Sequence, residues 1–362
     1  PKKKSYTKIS KKEGLSGKSI YSIMEDQNNN MWIGTNDGGI TIFNQDSIIH
    51  YTEEEGLSSN SIYTLKEDEK GNVWIGSAGG LSKFIPNKTN KSLNHKSNQL
   101  QSGMLINYTE KEGLSNTFVR SILIDHNNIL WLGTDGGGLN RFDENKVTYY
   151  TDKEGLSNNT IWSLQEDFDH SIWLTTEFGV NKLEDSKDGY KLITTYGKPD
   201  GLKGTDFFNN SSCINHNNVL WMGSGKNLTM LNLNNIKPSN NPPQIELVGV
   251  SVNTKFIDFN DKNETLMNQM EFENVKPFTN YPEKLKLPYN LNHLTFFYAG
   301  TDWKAQHKIK YSYILEGLNY VWSDESSEIK ADYRNLPYGK YTFKVKGKGK
   351  NNIWSKPIEY KF

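Results

Sequence analysis

The chain has almost no cysteine. Cys213 stands alone among 362 residues, which excludes an intrachain disulfide framework, a CxxC redox pair and any cysteine-based zinc site. A lone thiol also suits a secreted protein that avoids stray pairing. There is no excess of either charge. Lys and Arg number 42, as do Asp and Glu, so the sequence lacks the basic bias of a nucleic-acid binder or of a polybasic membrane-surface protein. Long apolar runs are missing too. Ile245 to Val252 and Leu294 to Gly300 are the best candidates, and both are strand-length, far short of the roughly 18 residues a membrane helix requires. The chain starts at Pro1 and shows no signal peptide. It is expected to be a segment of something longer, with any targeting or membrane segment outside it.

What is present is aromatic and repetitive. Hydrophobic residues make up only 35%, yet the chain has nine Trp, 19 Tyr and 16 Phe, whose large rings can fill a core poor in aliphatics. Five tryptophans share one context: Met31-Trp32-Ile33-Gly34, Val73-Trp74-Ile75-Gly76, Leu130-Trp131-Leu132-Gly133, Ile172-Trp173-Leu174-Thr175 and Leu220-Trp221-Met222-Gly223. They are spaced by 42, 57, 42 and 48 residues. A second marker precedes each one: Gly14-Leu15-Ser16, Gly56-Leu57-Ser58, Gly113-Leu114-Ser115, Gly155-Leu156-Ser157 and Gly201-Leu202-Lys203. The Gly-to-Trp distance is 18 in four copies and 20 in the fifth.

A period near 42 fits either a helical array or a four-stranded propeller blade. Local pattern decides between them. Ile20 to Glu25, a turn of Asp26 to Asn30, and Met31 to Gly34 read as strand, tight turn, strand. Asn/Asp/Gly clusters recur every 8–12 residues, which suits all-β structure and opposes helices. A third strand follows each Gly pair, and a fourth closes each unit, as in Ile48 to Thr52. Asp26, Asp68, Asp125 and Asp167 are expected to cap their own turns, and the tryptophans to plug the gaps between blades at equivalent buried sites. Gly34, Gly76, Gly133 and Gly223 allow close approach in the crowded inner region. The extra residues from Pro86 to Leu105 are expected to protrude between the third and fourth strands of the second unit. The fifth copy has two extra residues within Phe207 to Cys213 and no evident fourth strand. A spare strand at Tyr6 to Ile9 would complete it by ring closure. Either five blades close, or blades upstream lie outside the chain.

Residues 1–237 are therefore read as β-propeller repeats, 238–243 as a Pro-rich linker that favours extended chain, and 244–362 as a β-sandwich of immunoglobulin or fibronectin type. The sandwich is expected from strand-like runs at Gln244 to Val252, Leu285 to Leu287, His293 to Tyr298, Ile309 to Leu315, Lys340 to Val345 and Pro357 to Phe362.

Here the residues carry a resemblance. The repeat, seen in Asn60 to Ser77, resembles the two-component regulator propeller repeat. The last 120 residues or so resemble the three-tyrosine domain that follows such propellers, through Leu287-Pro288-Tyr289, Lys310 to Leu318, Trp322, Tyr333 to Phe343 and Trp354-Ser355. The name-giving tyrosines match Tyr311, Tyr333 and Tyr341. The resemblance implies the sensor ectodomain of a bacterial transmembrane regulator, often a hybrid histidine kinase that detects glycan breakdown products. It further implies a periplasmic or extracellular location, membrane anchoring outside the segment, and a homodimer contact through the sandwich. Such ectodomains usually hold one or two rings of about seven blades, and the chain departs from that with five repeats.

Other constellations carry little. Asp26-x-Asn28-x-Asn30 lacks the glycine at the sixth position and the glutamate at the twelfth position of a calcium loop. His126, His170 and His216 fall in hairpin turns of three blades, which are expected to stand far apart, so no metal or cofactor is assigned. Gly136-Gly137-Gly138 opens no helix. Lys344 to Lys350 reads as a solvated strand end and turn. Asp37, Asp135 and Glu177 follow the Trp strands on one expected face, where paired carboxylates could hydrolyse glycosides. With no catalytic residue assigned, the reading is recognition without turnover. Its informative positions are those where the five copies differ. Tyr21, Tyr63, Arg120, Trp162 and Asn210 stand eleven residues before each Trp, and Asn36, Asp37, Asp135, Glu177 and Lys226 follow it. Aromatic faces with charged or amide groups suit a small polar molecule or oligosaccharide. The alternatives are a propeller glycoside hydrolase or lyase, and a protein-interaction scaffold.

Overall fold

A computed structural model describes residues 8–44, 47–87, 102–143, 146–185, 191–236, 241–261, 265–275, 279–302, 305–350 and 352–362. The chain divides into two units, Pro1–Ile236 and Lys237–Phe362. Among the described residues, no helix is long and apolar enough to cross a membrane.

The first unit is a series of antiparallel blades, each a meander with neighbouring strands in sequence order. Blade 1 holds Ile20–Glu25, Met31–Thr35, Ile40–Phe43 and Ile48–Tyr51 (β1–β4). Blade 2 holds Ile62–Glu67, Val73–Ser77, Gly80–Pro86 and Gly103–Tyr108 (β5–β8). Blade 3 holds Val119–Ile124, Leu130–Thr134, Leu139–Asp143 and Lys146–Tyr150 (β9–β12). Blade 4 holds Ile161–Glu166, Ile172–Thr176, Gly179–Asp185 and Lys191–Tyr196 (β13–β16). Blade 5 has three strands, Phe207–Ile214, Val219–Ser224 and Leu228–Asn232 (β17–β19). The insertion of blade 2 does fall between its third and fourth strands, but those strands take up Pro86 and Gly103–Leu105 of the expected loop, and residues 88–101 lie outside the described part. The same holds for Tyr6 and Thr7 of the expected closing strand.

The aspartates cap their turns, and they also reach the tryptophans. In blade 1, Asp26 Oδ1 accepts the backbone N–H groups of Asn28 and Asn30 at 2.9 and 2.8 Å, and Oδ2 accepts the Trp32 indole N–H at 2.8 Å. Asp68, Asp125 and Asp167 repeat the pattern on Trp74, Trp131 and Trp173 at 3.1, 2.8 and 2.7 Å. Each indole then packs against the next blade. Trp32 joins Leu57, Ile62, Leu65 and Ile75 in one cluster, and Trp74 joins Leu114, Val119, Ile122 and Leu132 in another. Gly34 makes room for this contact, because a Cβ there would sit 2.7 Å from the Ile62 side chain of the next blade.

Trp221 departs from the expected equivalence. The first four tryptophans are 1–3% exposed, whereas Trp221 is only half-buried. Blade 5 also exposes Leu228 by 68%, although its counterparts Ile40, Leu81, Leu139 and Val180 are fully buried. At the other end, Ile23 is 61% exposed where Leu65, Ile122 and Leu164 are buried. The two terminal blades thus each present a face that inner blades cover with a neighbour.

Between blades 1 to 4 the chain crosses over through a tight capped turn. Thr52, Thr109 and Thr151 form capping boxes with Glu55, Glu112 and Glu154, as Ser10 does with Glu13 at the start. Gly14, Gly56, Gly113, Gly155 and Gly201 follow at φ between 100° and 106°, a backbone state that side chains with a Cβ rarely adopt. Leu57, Leu114 and Leu156 then insert into the core.

In the second unit, Gln244–Val252, Lys255–Phe256, Leu294–Thr301, Lys310–Glu316, Lys330–Tyr333, Thr342–Lys348 and Ile358–Lys361 (β20–β26) form two sheets, ordered β21-β20-β22-β24 and β23-β25-β26. Leu285 to Leu287 forms only an isolated bridge at Lys286, and β24 was not evident from the sequence. The core between the sheets is aromatic: Phe296 stacks on Phe343 at 4.3 Å, and Tyr298, Tyr311 and Tyr333 surround them. Burial pushes the phenols of Tyr298, Tyr333 and Tyr360 well above the ordinary range. Tyr311 Oη accepts the Gly300 N–H at 2.8 Å, and Tyr341 donates its hydroxyl to the Pro337 carbonyl at 2.7 Å. The basic run is not solvated as expected. Phe343, Val345 and Gly347 point inward, and the alternating lysines are partnered. Lys344 pairs with Glu316 and Glu359, and Lys346 lies over Trp322 and Trp354.

Two stability predictions follow from the capped turns. Asp167→Ala removes the side-chain acceptor of two backbone N–H groups and strands a buried indole N–H, so it should cost about 2–4 kcal/mol in urea denaturation. Asn215→Ala, at the blade 5 position with no carboxylate, should cost only about 1 kcal/mol. The capping-box glutamates behave differently. Hydrogen bonds from the threonine hydroxyl and backbone hold Glu55, Glu112 and Glu154 below the usual value of 4.5. A depressed folded-state value means that their contribution is complete above 4.5 and disappears as pH falls through the folded values. The triple variant T52V/T109V/T151V should therefore flatten the acid limb of a melting-temperature-versus-pH curve, and an unchanged limb would refute this.

Candidate functional site at the propeller mouth

The first strand of every blade carries a β-bulge at one position. Pairing runs Ile20↔Thr35 and then Ser22↔Gly34, which skips Tyr21. It likewise skips Tyr63 in β5, Arg120 in β9 and Trp162 in β13. A bulge leaves one residue unpaired and re-aims its side chain. In blade 5 the irregularity is larger, since pairing passes from Phe207 directly to Ser212. The two extra residues of the fifth copy are absorbed there. Asn210, at φ 51°, reaches back and donates from Nδ2 to the carbonyls of Tyr63 and Arg120 at 3.0 and 3.3 Å.

The re-aimed side chains meet. Tyr21 and Tyr63 stack with centroids 5.9 Å apart and planes 18° apart. The Arg120 guanidinium lies 5.3 Å from the Tyr63 ring centroid and 4.8 Å from that of Trp162, within the range of cation–π attraction. Asp135 pairs with Arg120 and also accepts the Thr160 hydroxyl at 3.2 Å, which fixes the guanidinium from behind. A concavity of about 950 Å³ opens over this row, at the large end of the range for small-ligand pockets.

Of the positions singled out from sequence, Tyr21, Asn36, Tyr63, Arg120, Trp162 and Glu177 line this concavity. Asp37 is not in the lining; it accepts the Lys18 N–H at 3.1 Å across a turn. Asp135 acts from behind Arg120, and Lys226 is exposed outside the cavity. Ile20, Asp206, Phe207, Phe208 and Asn209 also line the cavity, and the sequence comparison had not marked them as site residues. For the four residues of the fifth copy the only sequence signal was its extra length. The expectation that the turn histidines stand apart fails for one pair. His126 of blade 3 and His170 of blade 4 stack with ring centroids 3.6 Å apart.

The fold and mouth define a β-propeller with a variable axial pocket, followed by an aromatic-cored sandwich. Comparison with known proteins names the modules. The two component regulator propeller model matches residues 14–37, 56–79, 113–136 and 155–178, and the Y_Y_Y domain model matches 305–362. The chain therefore carries two-component regulator propeller repeats followed by a Y_Y_Y domain. Histidine kinase P4 of Formosa agariphila is 26% identical over 165 residues, which make up 46% of this chain and 11% of that protein. Among solved structures, the extracellular domain of BT3049 from B. thetaiotaomicron, described as a hybrid two component system, is 21% identical with a TM-score of 0.42. That match covers 96% of this chain and 55% of the other. Virginiamycin B lyase from Staphylococcus aureus is 14% identical with a TM-score of 0.42, covering 95% of this chain and 94% of the lyase. The chain thus spans about half of the BT3049 domain and about a tenth of the curated relative.

The row of rings and guanidinium should be energetically coupled. Arg120→Met leaves the Asp135 carboxylate half-buried without its partner, and should lower stability by about 1–3 kcal/mol. In a double-mutant cycle with Asp135→Asn, the two changes should be non-additive by about 1 kcal/mol or more. Additive effects would mean that the ion pair contributes nothing.

Proposed function

We propose that the chain is the extracytoplasmic ligand-recognition segment of a two-component sensor of histidine kinase type, and that the propeller mouth binds a small polar molecule, most simply a glycan fragment. The observation that carries this reading is the convergence of the bulge residues. Four blades aim Tyr21, Tyr63, Arg120 and Trp162 at one concavity. Ring faces offer stacking to the apolar face of a sugar, and Asn36, Glu177 and Asp206 offer hydrogen bonds to hydroxyls at the rim. The module order supports the sensor role, as does the relative named a histidine kinase.

Recognition without turnover is the favoured mode. Asp135, one of the three carboxylates considered for hydrolysis with Asp37 and Glu177, is engaged by Arg120 and Thr160, so its oxygens are taken up within the protein. In this reading the kinase activity belongs to domains outside the segment. The sandwich would transmit occupancy through a homodimer contact, because a ligand shifts a receptor only by its differential affinity for two states.

The test is calorimetric titration of the full chain with a panel of neutral and acidic oligosaccharides, with the sugar analysed afterwards by chromatography. Saturable binding of at least one member is expected, weakened roughly tenfold or more by Trp162→Ala, since stacked aromatic contacts at binding sites are commonly hot spots. Binding that Trp162→Ala leaves unchanged would move the site elsewhere. Shortened sugar in the recovered ligand would replace recognition by hydrolysis.

A further inference from the structure

β13 carries Trp162 at the mouth end and Glu166 at its other end. At that far end Glu166 meets two histidines from different blades. Its Oε2 accepts the backbone N–H of His126 at 3.0 Å, and its Oε1 lies 2.5 Å from His126 Nδ1 and 3.2 Å from His170 Nδ1. The three ligand-type atoms all fall within 4.8 Å of one another. Four ligands about 2.0–2.1 Å from a tetrahedral zinc ion stand roughly 3.3 Å apart, so movements of about an ångström or less would bring this set onto one cation.

The sibling blades show that the histidines are not needed for the joint itself. Between blades 1 and 2, Gln27 stands where His126 does, and its backbone N–H donates to Glu67 Oε2 at 2.9 Å. The turn position of His170 is filled there by Gly71, at φ 80°. In the other turns it is Asn29, Asn128 or Asn218, at φ 60°, 60° and 57°. His170 adopts φ 62°, an uncommon state for a residue with a large side chain. The backbone strut is therefore common to both joints, and what is particular to the blade 3–4 joint is a pair of imidazoles directed at the strut's spare oxygen. Asn127 Nδ2 lies 2.8 Å from His126 Nε2. With its amide turned to present oxygen, it would accept the Nε2–H and leave the Nδ1 lone pair for a metal, the usual outer-shell support for a ligating histidine.

We propose that His126, Glu166 and His170 form a zinc site that staples blade 3 to blade 4. Two imidazole nitrogens and one carboxylate oxygen suit Zn²⁺ rather than Ca²⁺ or Mg²⁺, which take oxygen ligands. His126 and His170 are partly exposed, at 40% and 56% of their side chains, which leaves the fourth position to water. The site is a strand's length from the mouth and stands or falls independently of what the mouth binds.

The experiment uses the full chain after chelator treatment, titrated with Co²⁺ and then Zn²⁺. One equivalent of Co²⁺ should give the visible absorption of a four-coordinate site, Zn²⁺ should displace it, and Zn²⁺ should raise the melting temperature. His126→Gln and His170→Asn copy residues found at these positions in sibling turns and should fold normally. Each should weaken Zn²⁺ binding roughly tenfold or more, while His216→Gln, in the blade 5 turn, should leave it intact. Absence of binding by the parent chain would overturn the proposal. So would a folded His126→Gln/His170→Asn double variant, checked by circular dichroism, that binds Zn²⁺ as the parent does.

Discussion

In each of the first four blades one turn carboxylate ties the hairpin turn to the indole that fills the next interface. The aspartate accepts two backbone N–H groups with one oxygen and the indole N–H with the other. An unpaired indole N–H in that position would lose a hydrogen bond inside the core, where the loss is expensive. A tryptophan free to rotate would not present a fixed surface to the next blade. The clamp thus converts a local turn preference into a defined angle between neighbours. Blade 5 illustrates the dependence from the other side: Asn215 keeps the turn with its amide oxygen, while Trp221 is half-buried, with no further blade packed over it among the described residues.

With the outer part of each blade fixed this way, the inner strand can tolerate an irregularity. The bulges at Tyr21, Tyr63, Arg120 and Trp162 interrupt pairing at one residue, and regular pairing resumes on both sides. Burial is then shared unevenly. Ile62, Val119 and Ile161, each just before a bulge, are fully buried against the preceding blade. The bulge residue itself is left out of the ladder and turned to the mouth, where Trp162 keeps part of its ring against the blade 5 cluster. Stability and recognition therefore occupy adjacent positions on one strand.

Much of the architecture was legible because it repeats. The Gly–Leu crossover, the turn aspartate and the Trp strand recur in register, and local pairing rules turn that register into blades. The sandwich tyrosines Tyr311, Tyr333 and Tyr341 were legible only through the resemblance to the three-tyrosine domain. What could not be read depends on how one blade is rotated against the next. The sequence places His126 and His170 in different turns, and only the inter-blade angle brings the second position of one turn over the fourth position of the next. Likewise, nothing in the spacing of Asp125 and Trp131 says that the side chains touch, because a six-residue separation spans a turn and reverses direction. The mouth was half legible. Disagreement among copies marked Tyr21, Tyr63, Arg120 and Trp162, but Phe208 and Asn209 belong to an irregular stretch with no counterpart to compare.

The bulge has an evolutionary corollary. A residue outside the ladder can be exchanged without breaking a strand pairing, so each blade offers one address that mutation can rewrite, Arg120 together with its partner Asp135. Tyrosine, arginine and tryptophan already occupy that address in neighbouring copies of the same repeat. Duplication of a blade would thus add one more adjustable contact to the mouth, and a lineage could retune its specificity by a few substitutions while the blades beneath were inherited unchanged.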